Sequence, residues 1–281
     1  MKAWILGGSG MVGKCLTTFL QKKGVDCVAE GRESVDITSY EDLEKSFYLV
    51  MPTHIFNCAA YTAVDDAEIH RDLAMRVNGS GPGLLGQLAR VCNVRVIHIS
   101  TDYVFSGDGK RPFQEDDVTC PINYYGVTKR EGEKRLLEEL PSACIVRTSW
   151  VYGAGGKNFI SSIIHLLQTK EVLEVADDQI GRPTFCQDLV EALYEVKDAS
   201  GVYHFASEGP ASRYEIAQAV FLFMQKHGIA SICKEILPVS SSRLPAKAPR
   251  PFYSVLDTTR YESVFGKHPR PWVDTLAELF L

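Results

Sequence analysis

Residues Lys2-Ala-Trp-Ile-Leu-Gly-Gly-Ser-Gly-Met-Val-Gly13 decide the fold. The apolar run over Lys2–Gly7 reads as a strand. Met11–Lys23 reads as a helix, with Val12, Cys15, Leu16, Phe19 and Leu20 on one face. Between them Gly7, Gly10 and Gly13 form G-x-x-G-x-x-G. A chain that turns sharply there, lets a pyrophosphate approach its backbone and packs helix close to strand favours residues without Cβ at each step. The free N–H groups of the helix start then face the phosphates. A tight structural turn is the plainer alternative, but the strand–loop–helix setting favours a dinucleotide site.

Outward from this loop the alternation continues. Strands are expected at Asp26–Glu30, His54–Ala59, Val94–Ser100 and Ala143–Thr148, and helices at Ser39–Val50, Asp72–Cys92 and Asn123–Leu140, with Ser39 a possible cap. Strands alternating with helices and rich in Val and Ile predict an α/β, doubly wound parallel sheet of the Rossmann kind. After Trp150 the pattern loosens. Helices are expected at Asn158–Thr169, Gln187–Val196, Arg213–His227 (capped by Ser212) and Trp272–Leu281, with a short strand at Val202–Phe205 and a loop from Leu237 to Pro251. The expected organisation is an NAD(P)-binding domain over 1–150 plus about 172–206. A smaller, interleaved C-terminal substrate-binding region then covers about 151–171 and 207–281.

Composition narrows the function classes. The 281 residues carry a net charge of -5 with both signs interspersed, which argues against a nucleic-acid partner. No run approaches the roughly 20 apolar residues that span a bilayer, and Ala3–Leu6 is too short for a signal segment; a cytoplasmic protein is expected. The eight cysteines include no C-x-x-C pair, so neither a zinc site nor a disulfide framework is expected.

At the end of the second strand stand Glu30, Gly31 and Arg32. A carboxylate there can accept from the ribose 2′-OH of NAD, and an arginine can pair with the 2′-phosphate of NADP. NADPH through Arg32 is the preferred reading, with NADH also usable, and Asp36 and Ile37 are placed to flank the adenine. Further on, Tyr125 and Lys129 lie four residues apart, on one face of a helix. A ketone reduced by hydride leaves an oxyanion that needs a proton; a phenol supplies it, and a neighbouring ammonium is expected to lower its pKa. Ser100-Thr-Asp-Tyr-Val-Phe105, at the carboxyl end of the fourth strand, provides a hydroxyl to hold the carbonyl.

Six segments carry a resemblance over nearly the whole chain: Asn57-Cys-Ala-Ala-Tyr-Thr-Ala-Val-Asp-Asp-Ala-Glu68, Ser100–Phe105, Tyr125-Gly-Val-Thr-Lys129, Arg147-Thr-Ser-Trp-Val-Tyr152, Asp178-Gln-Ile-Gly-Arg-Pro-Thr184 and Arg250-Pro-Phe-Tyr-Ser-Val-Leu-Asp257. The sequence resembles the extended short-chain dehydrogenase/reductases and, within them, the dTDP-4-dehydrorhamnose reductase family. The resemblance implies Thr101, Tyr125 and Lys129 as the catalytic set. It adds Met11, Val12, Ala59, Ala60 and Tyr61, with Tyr125 and Lys129, to the cofactor site. Thr62, Val64, Thr101, Asp102, Tyr103, Trp150, Gln179 and Arg250 then meet a nucleotide-linked sugar, with dTDP the expected nucleotide. For Trp150 the alternative is a core aromatic, and for Arg250 a surface residue.

Some members of that family bind magnesium at a dimer interface through a glutamate in the first helix. Here Cys15 takes that position and Gln187 stands where a second carboxylate is expected, so no metal is expected, and a monomer or weak homodimer is. The leading functional reading is reduction of dTDP-4-dehydrorhamnose to dTDP-L-rhamnose. The alternatives are reduction of a related keto sugar of the dihydrostreptose type, and a non-catalytic NADP-binding role like that of the regulatory subunit of methionine adenosyltransferase. A dehydratase is disfavoured because Asp102-Tyr103, not Asp–Glu, follows Thr101.

Overall fold

The computed structural model describes residues 1–156 and 158–280. Strands β1 (Lys2–Leu6), β2 (Asp26–Glu30), β3 (His54–Asn57), β4 (Arg95–Thr101) and β5 (Cys144–Thr148) join Gly201–His204 in a six-stranded sheet. Its order is Gly201–His204, β5, β4, β3, β1, β2, and every pair is parallel. The helices that matter below are α1 (Met11–Lys22), α2 (Tyr40–Val50), α3 (Val64–Ala67), α4 (Arg71–Met75), α5 (Gly81–Cys92), α6 (Tyr124–Glu139), α7 (Phe159–Thr169), α8 (Cys186–Glu195) and α9 (Arg213–Lys226). This is the α/β, doubly wound sheet expected from the alternation.

The strands are apolar at successive positions because both faces are covered. Ala3 and Ile5 of β1 join the core formed with α1 and α8, while Trp4 and Leu6 join the core under α2, α5 and α6. A third core, with Ile160, Ile163 and Leu167 of α7 against Ile216, Val220 and Met224 of α9, holds the C-terminal region together. Ser39 caps α2 as expected, accepting from the N–H of Asp42, and the structure adds two caps of the same kind, Asn123 accepting from Gly126 and Asn158 from Ser161. Ser212 and Glu215 close a reciprocal capping box on α9.

Three segments differ from expectation. The helix expected over Asp72–Cys92 is interrupted between α4 and α5 by a π turn at Arg76–Ser80. The segment assigned to a loop from Leu237 begins inside a strand, Glu235–Val239, paired in parallel with Val172–Ala176. Pro238 is tolerated there because the pair is only two strands wide, so both strands are edges. Val172–Ala176 therefore lies outside the six-stranded sheet, whereas Gly201–His204, from the same stretch assigned to the dinucleotide-binding part, lies within it. The closing helix is a 3-10 helix, Trp272–Leu279, whose Trp272 and Leu276 enter the third core; Leu281 lies outside the described residues. Among the described residues no helix is long and apolar enough to cross a membrane.

Candidate active site

Because β2 and β3 pair with opposite sides of β1, the chain reverses its winding there, and a crevice opens beyond the carboxyl ends of the strands. A cleft of about 340 Å³ occupies it, lined by Gly7, Gly10, Arg32, Asp36, Ile37, Ala59 and Ala60. The three glycines have different reasons. Gly7 has φ +77°, and a Cβ there would lie 2.6 Å from the nitrogen of Ala59; at Gly13 a Cβ would lie 2.3 Å from the Gly7 carbonyl oxygen. Both are glycine for the sake of the fold. A Cβ on Gly10 would meet only the Gly7 oxygen, at 3.3 Å, and otherwise open space. Gly10 starts α1 without any side-chain cap, so the first-turn N–H groups are left for an anion. This cradle fits a diphosphate. The side chains of Met11 and Val12 do not contribute to it: Met11 packs against Gly156 and Val12 against the core of α1 and α8.

At the end of β2 the two candidates separate. Glu30 accepts from the Trp4 indole at 2.6 Å and from the Ser46 hydroxyl. Its carboxylate is held between β1 and α2, so the ribose-binding role considered for it is not what this conformation serves. Arg32 is exposed and lines the cleft. Asp36 uses Oδ1 to accept from the backbone N–H and hydroxyl of Thr38, both at 2.8 Å, which fixes the turn that presents buried Ile37 to Gly81.

At the far end of the cleft Asn57 supports the backbone of Ala59 at 3.1 Å. Asn78, in the π turn, brackets the next segment: its Oδ1 accepts from the Tyr61 N–H at 2.8 Å, and its Nδ2 donates to the Tyr61 carbonyl at 3.0 Å and to the Thr128 hydroxyl at 3.1 Å. The π turn thus ties the cofactor-side loop to α6, one residue from Lys129.

Thr101 ends β4 and Tyr125 and Lys129 occupy the first turns of α6. The close approach is set by Gly126, where a Cβ would lie 2.1 Å from the Tyr103 carbonyl oxygen. Tyr125 stacks edge-on against Tyr103, with ring centroids 5.9 Å apart, and the Thr101 hydroxyl lies near its phenol. Tyr124 turns the other way, under the guanidinium of Arg71. Lys129 is buried, and its Nζ donates to the Ile99 carbonyl at 2.6 Å. Burial lowers the lysine to about 8. The phenol of Tyr125 is shifted upward, by burial first and then by the charge of Asp102, with the neighbouring Thr101 hydroxyl opposing. The lowering by Lys129 expected from their spacing is not realised, because the ammonium is turned to the β4 backbone.

Of the residues expected to meet a sugar, Trp150 has φ +47° and is half-buried. The Arg213 guanidinium lies 3.6 Å over its ring and 4.5 Å over Phe159, and Gly181 leaves room for the indole, since a Cβ there would lie 2.7 Å from it. Trp150 is therefore held at the edge of the third core rather than inside it. Arg250 makes a two-pronged pair with Asp65, both contacts at 2.9 Å, and Asp65 also accepts from the N–H groups of Lys247 and Ala248. That arginine pulls the Asp65 carboxyl down to about 2. Thr62 is exposed and Val64 and Gln179 half-buried, with the Gln179 carbonyl accepting from the Arg213 N–H at 3.3 Å.

The match to known proteins is complete in length. Residues 1–280 match the family model described as the RmlD substrate binding domain. A dTDP-4-dehydrorhamnose reductase of Streptomyces griseus is 39% identical over 286 aligned positions, 99% of this chain and 92% of that one. The chain belongs to the dTDP-4-dehydrorhamnose reductase family. A dTDP-4-keto-6-deoxy-D-glucose reductase of Streptomyces niveus is 37% identical over 99% of this chain and 96% of that protein. The dTDP-4-dehydrorhamnose reductase of Bacillus anthracis, solved in complex with NADP, superposes with a TM-score of 0.94 at 33% identity, covering 100% of this chain and 99% of that one.

The Cys15 thiol of α1 lies 3.6 Å from Oε1 of Gln187 at the start of α8. Among the described residues no group of three or more His, Cys, Asp or Glu side chains is arranged to hold a metal. Reading the sequence missed Arg213 and Asn78. Asn78 could have been suspected from the glycines around it, at 79, 81 and 83, which mark a crowded helix. Arg213 looks like any first-turn residue after a cap, and only folding stacks it on Trp150.

Proposed function

We propose that the protein is an NADPH-dependent reductase of a dTDP-linked 4-keto-6-deoxy sugar, with dTDP-4-dehydrorhamnose as the leading substrate and dTDP-L-rhamnose as the product. The observation that carries this reading is the placement of Thr101, Tyr125 and Lys129 at the carboxyl end of β4, beyond the open Gly10 cradle. In this reading the backbone of Gly10–Gly13 holds the diphosphate of the cofactor, Arg32 faces its 2′-phosphate and Ala59, Ala60 and Tyr61 flank its nicotinamide half. Lys129 binds the ribose hydroxyls. When bound, the dihydronicotinamide supplies the hydride to the sugar carbonyl carbon. Tyr125 gives its proton to the carbonyl oxygen and Thr101 hydrogen-bonds that same oxygen, so ketone, hydride and proton balance to the alcohol. Thr62, Val64, Trp150 and Gln179 border the sugar nucleotide, and Arg250 faces its diphosphate.

We further infer a division into a dinucleotide-binding part, residues 1–150 with the strand at Gly201–His204, and a substrate part built on the third core. A cytoplasmic protein working as a monomer or weak homodimer suits this role. The experiment is to combine the purified protein with dTDP-4-keto-6-deoxyglucose, a 3,5-epimerase and NADPH, follow loss of the dihydronicotinamide absorbance and identify the product. Consumption that requires the epimerase, with dTDP-L-rhamnose formed, supports the reading. Consumption without the epimerase moves the substrate to the unepimerised keto sugar, and no consumption overturns the reductase assignment.

A further inference from the structure

Thr101 sits between two partners, with the Tyr125 phenol nearby. Its Oγ1 lies 3.0 Å from Oδ1 of Asp102 and accepts from the Tyr103 N–H at 3.2 Å. A hydroxyl owns one proton. An ionised Asp102 can only accept, so the Thr101 proton points at it and none is left for a substrate carbonyl. A protonated Asp102 donates to Thr101 instead and frees the Thr101 proton. The carbonyl oxygen, which gains negative charge during reduction, needs donors.

Two observations favour the protonated form. Asp102 is 2% exposed, and its Oδ2 has no partner in hydrogen-bond geometry, although the Ser254 hydroxyl lies near the same carboxyl. A carboxylate with a bare buried oxygen is costly, and the neutral acid much less so. Tyr125 also has to become a phenolate as it gives up its proton, and a charged Asp102 beside it opposes that step. The groups facing Asp102 are Thr101 from β4, Tyr103 on the following turn, Tyr125 from α6, Arg213 from α9 and Ser254 from the segment after Arg250. Arg213 is the cation in this set and favours ionisation, but burial outweighs it: the Asp102 carboxyl is pushed up to about 6.

We propose that Asp102 is a positioning residue that works as a neutral carboxylic acid, turning the Thr101 hydroxyl outward so that it donates to the carbonyl oxygen of the substrate. The inference rests on the reductase reading for its substrate, though not for the protonation of Asp102.

The test pairs the pH profile with infrared spectroscopy. In the native protein kcat/KM should fall by roughly tenfold per pH unit above about 6. The kcat limb should lie at higher pH, because the bound diphosphate is a like charge that disfavours the carboxylate. Asp102→Asn keeps a donor towards Thr101, so it should retain the low-pH kcat/KM within roughly threefold and lose the limb. Asp102→Ser serves the same purpose if the asparagine variant does not fold. In the ligand-free native protein, infrared difference spectra should show a protonated carboxyl band at low pH that disappears on raising the pH and is missing in the variant. The proposal is overturned if the variant keeps the same limb, or if it loses more than tenfold at every pH while the native profile is flat. Absence of the carboxyl band also overturns it, whatever the activity. If the band is present but neither protein reduces the keto sugar at any pH, the reductase reading fails and the carbonyl-directed role falls with it.

Discussion

At the first turn of α1 the chain leaves side chains out, and at the sugar end it fills the space with side chains paired to one another. The cleft proposed for the cofactor is shaped by backbone: glycines at 7, 10 and 13, an uncapped helix start, and a loop whose Tyr61 peptide is bracketed by Asn78. The side proposed for the substrate is shaped by charge and aromatic contacts between distant segments, Arg213 on Trp150 and Arg250 on Asp65. A backbone site reads the part of a ligand that all its users share, in the proposed reading a dinucleotide diphosphate. A side-chain site can change its specificity without disturbing the sheet. The Streptomyces griseus and Streptomyces niveus relatives, whose names give different keto sugars, have nearly the same identity to this chain, 39% and 37%.

The largest expected effect lies where the two halves meet. Tyr125→Phe removes the phenolic oxygen and keeps the ring against Tyr103; turnover should fall by on the order of 10²-fold or more, with cofactor affinity little changed. Tyr124→Phe is the control, because Tyr124 points under Arg71, and it should retain near-normal activity. Steady-state kinetics with calorimetric NADPH binding decides. A dead Tyr124→Phe beside an active Tyr125→Phe would misplace the acid by one residue.

The next effect separates fold from ligand within the glycine loop. Gly13→Val drives its side chain into the Gly7 carbonyl, and overpacking of that kind costs about 1–3 kcal/mol or more, visible as a lowered Tm. Gly10→Val meets open space beyond one contact at 3.3 Å; it should leave Tm within a few degrees but weaken NADPH by roughly tenfold or more, as expected where the cofactor diphosphate approaches the backbone. If Gly10→Val binds NADPH normally, the backbone account of the cleft is broken.

A smaller effect concerns cofactor choice. Arg32→Ala should raise the KM for NADPH several-fold more than that for NADH, since only NADPH carries the extra phosphate. Glu30→Gln should instead lower Tm without changing the preference, because its carboxylate is committed to Trp4 and Ser46. Equal losses with both cofactors for Arg32→Ala would remove it from the specificity argument.

What the sequence disclosed follows the same division. The sheet, its helices and the glycine loop were legible because short continuous apolar runs, caps at Ser39 and Ser212, and Cβ-free turns are local patterns. Tyr125 and Lys129 were legible through one helical turn. The commitment of Glu30 was not, since it depends on Trp4 and Ser46 meeting across β1 and α2. Nor was the strand Glu235–Val239, whose partner lies some sixty residues earlier. Pairings over such separations leave no periodic trace, and the sugar side consists largely of them.

The smallest expected effect tests whether Arg250 meets the substrate or only anchors its loop. Acid does not open the Asp65–Arg250 pair in an assay: the Asp65 carboxyl is held down at about 2, so the stability this adds is present above the ordinary carboxylate range and lost only as pH falls through about 2. The pair is partly exposed, with side-chain accessibilities of 22% and 41%, so breaking it should cost under about 1 kcal/mol. Asp65→Asn removes the counter-charge and can leave the loop N–H bonds in place; it should change the KM for the nucleotide sugar threefold or less, on that weak-pair scale. Arg250→Ala removes the group proposed to face the diphosphate and should raise that KM by roughly tenfold at unchanged kcat, the pattern of lost uniform binding. Equal shifts in the two variants would mean that Arg250 acts through the position of residues 247–250. A larger effect for Asp65→Asn would take Arg250 out of the substrate site.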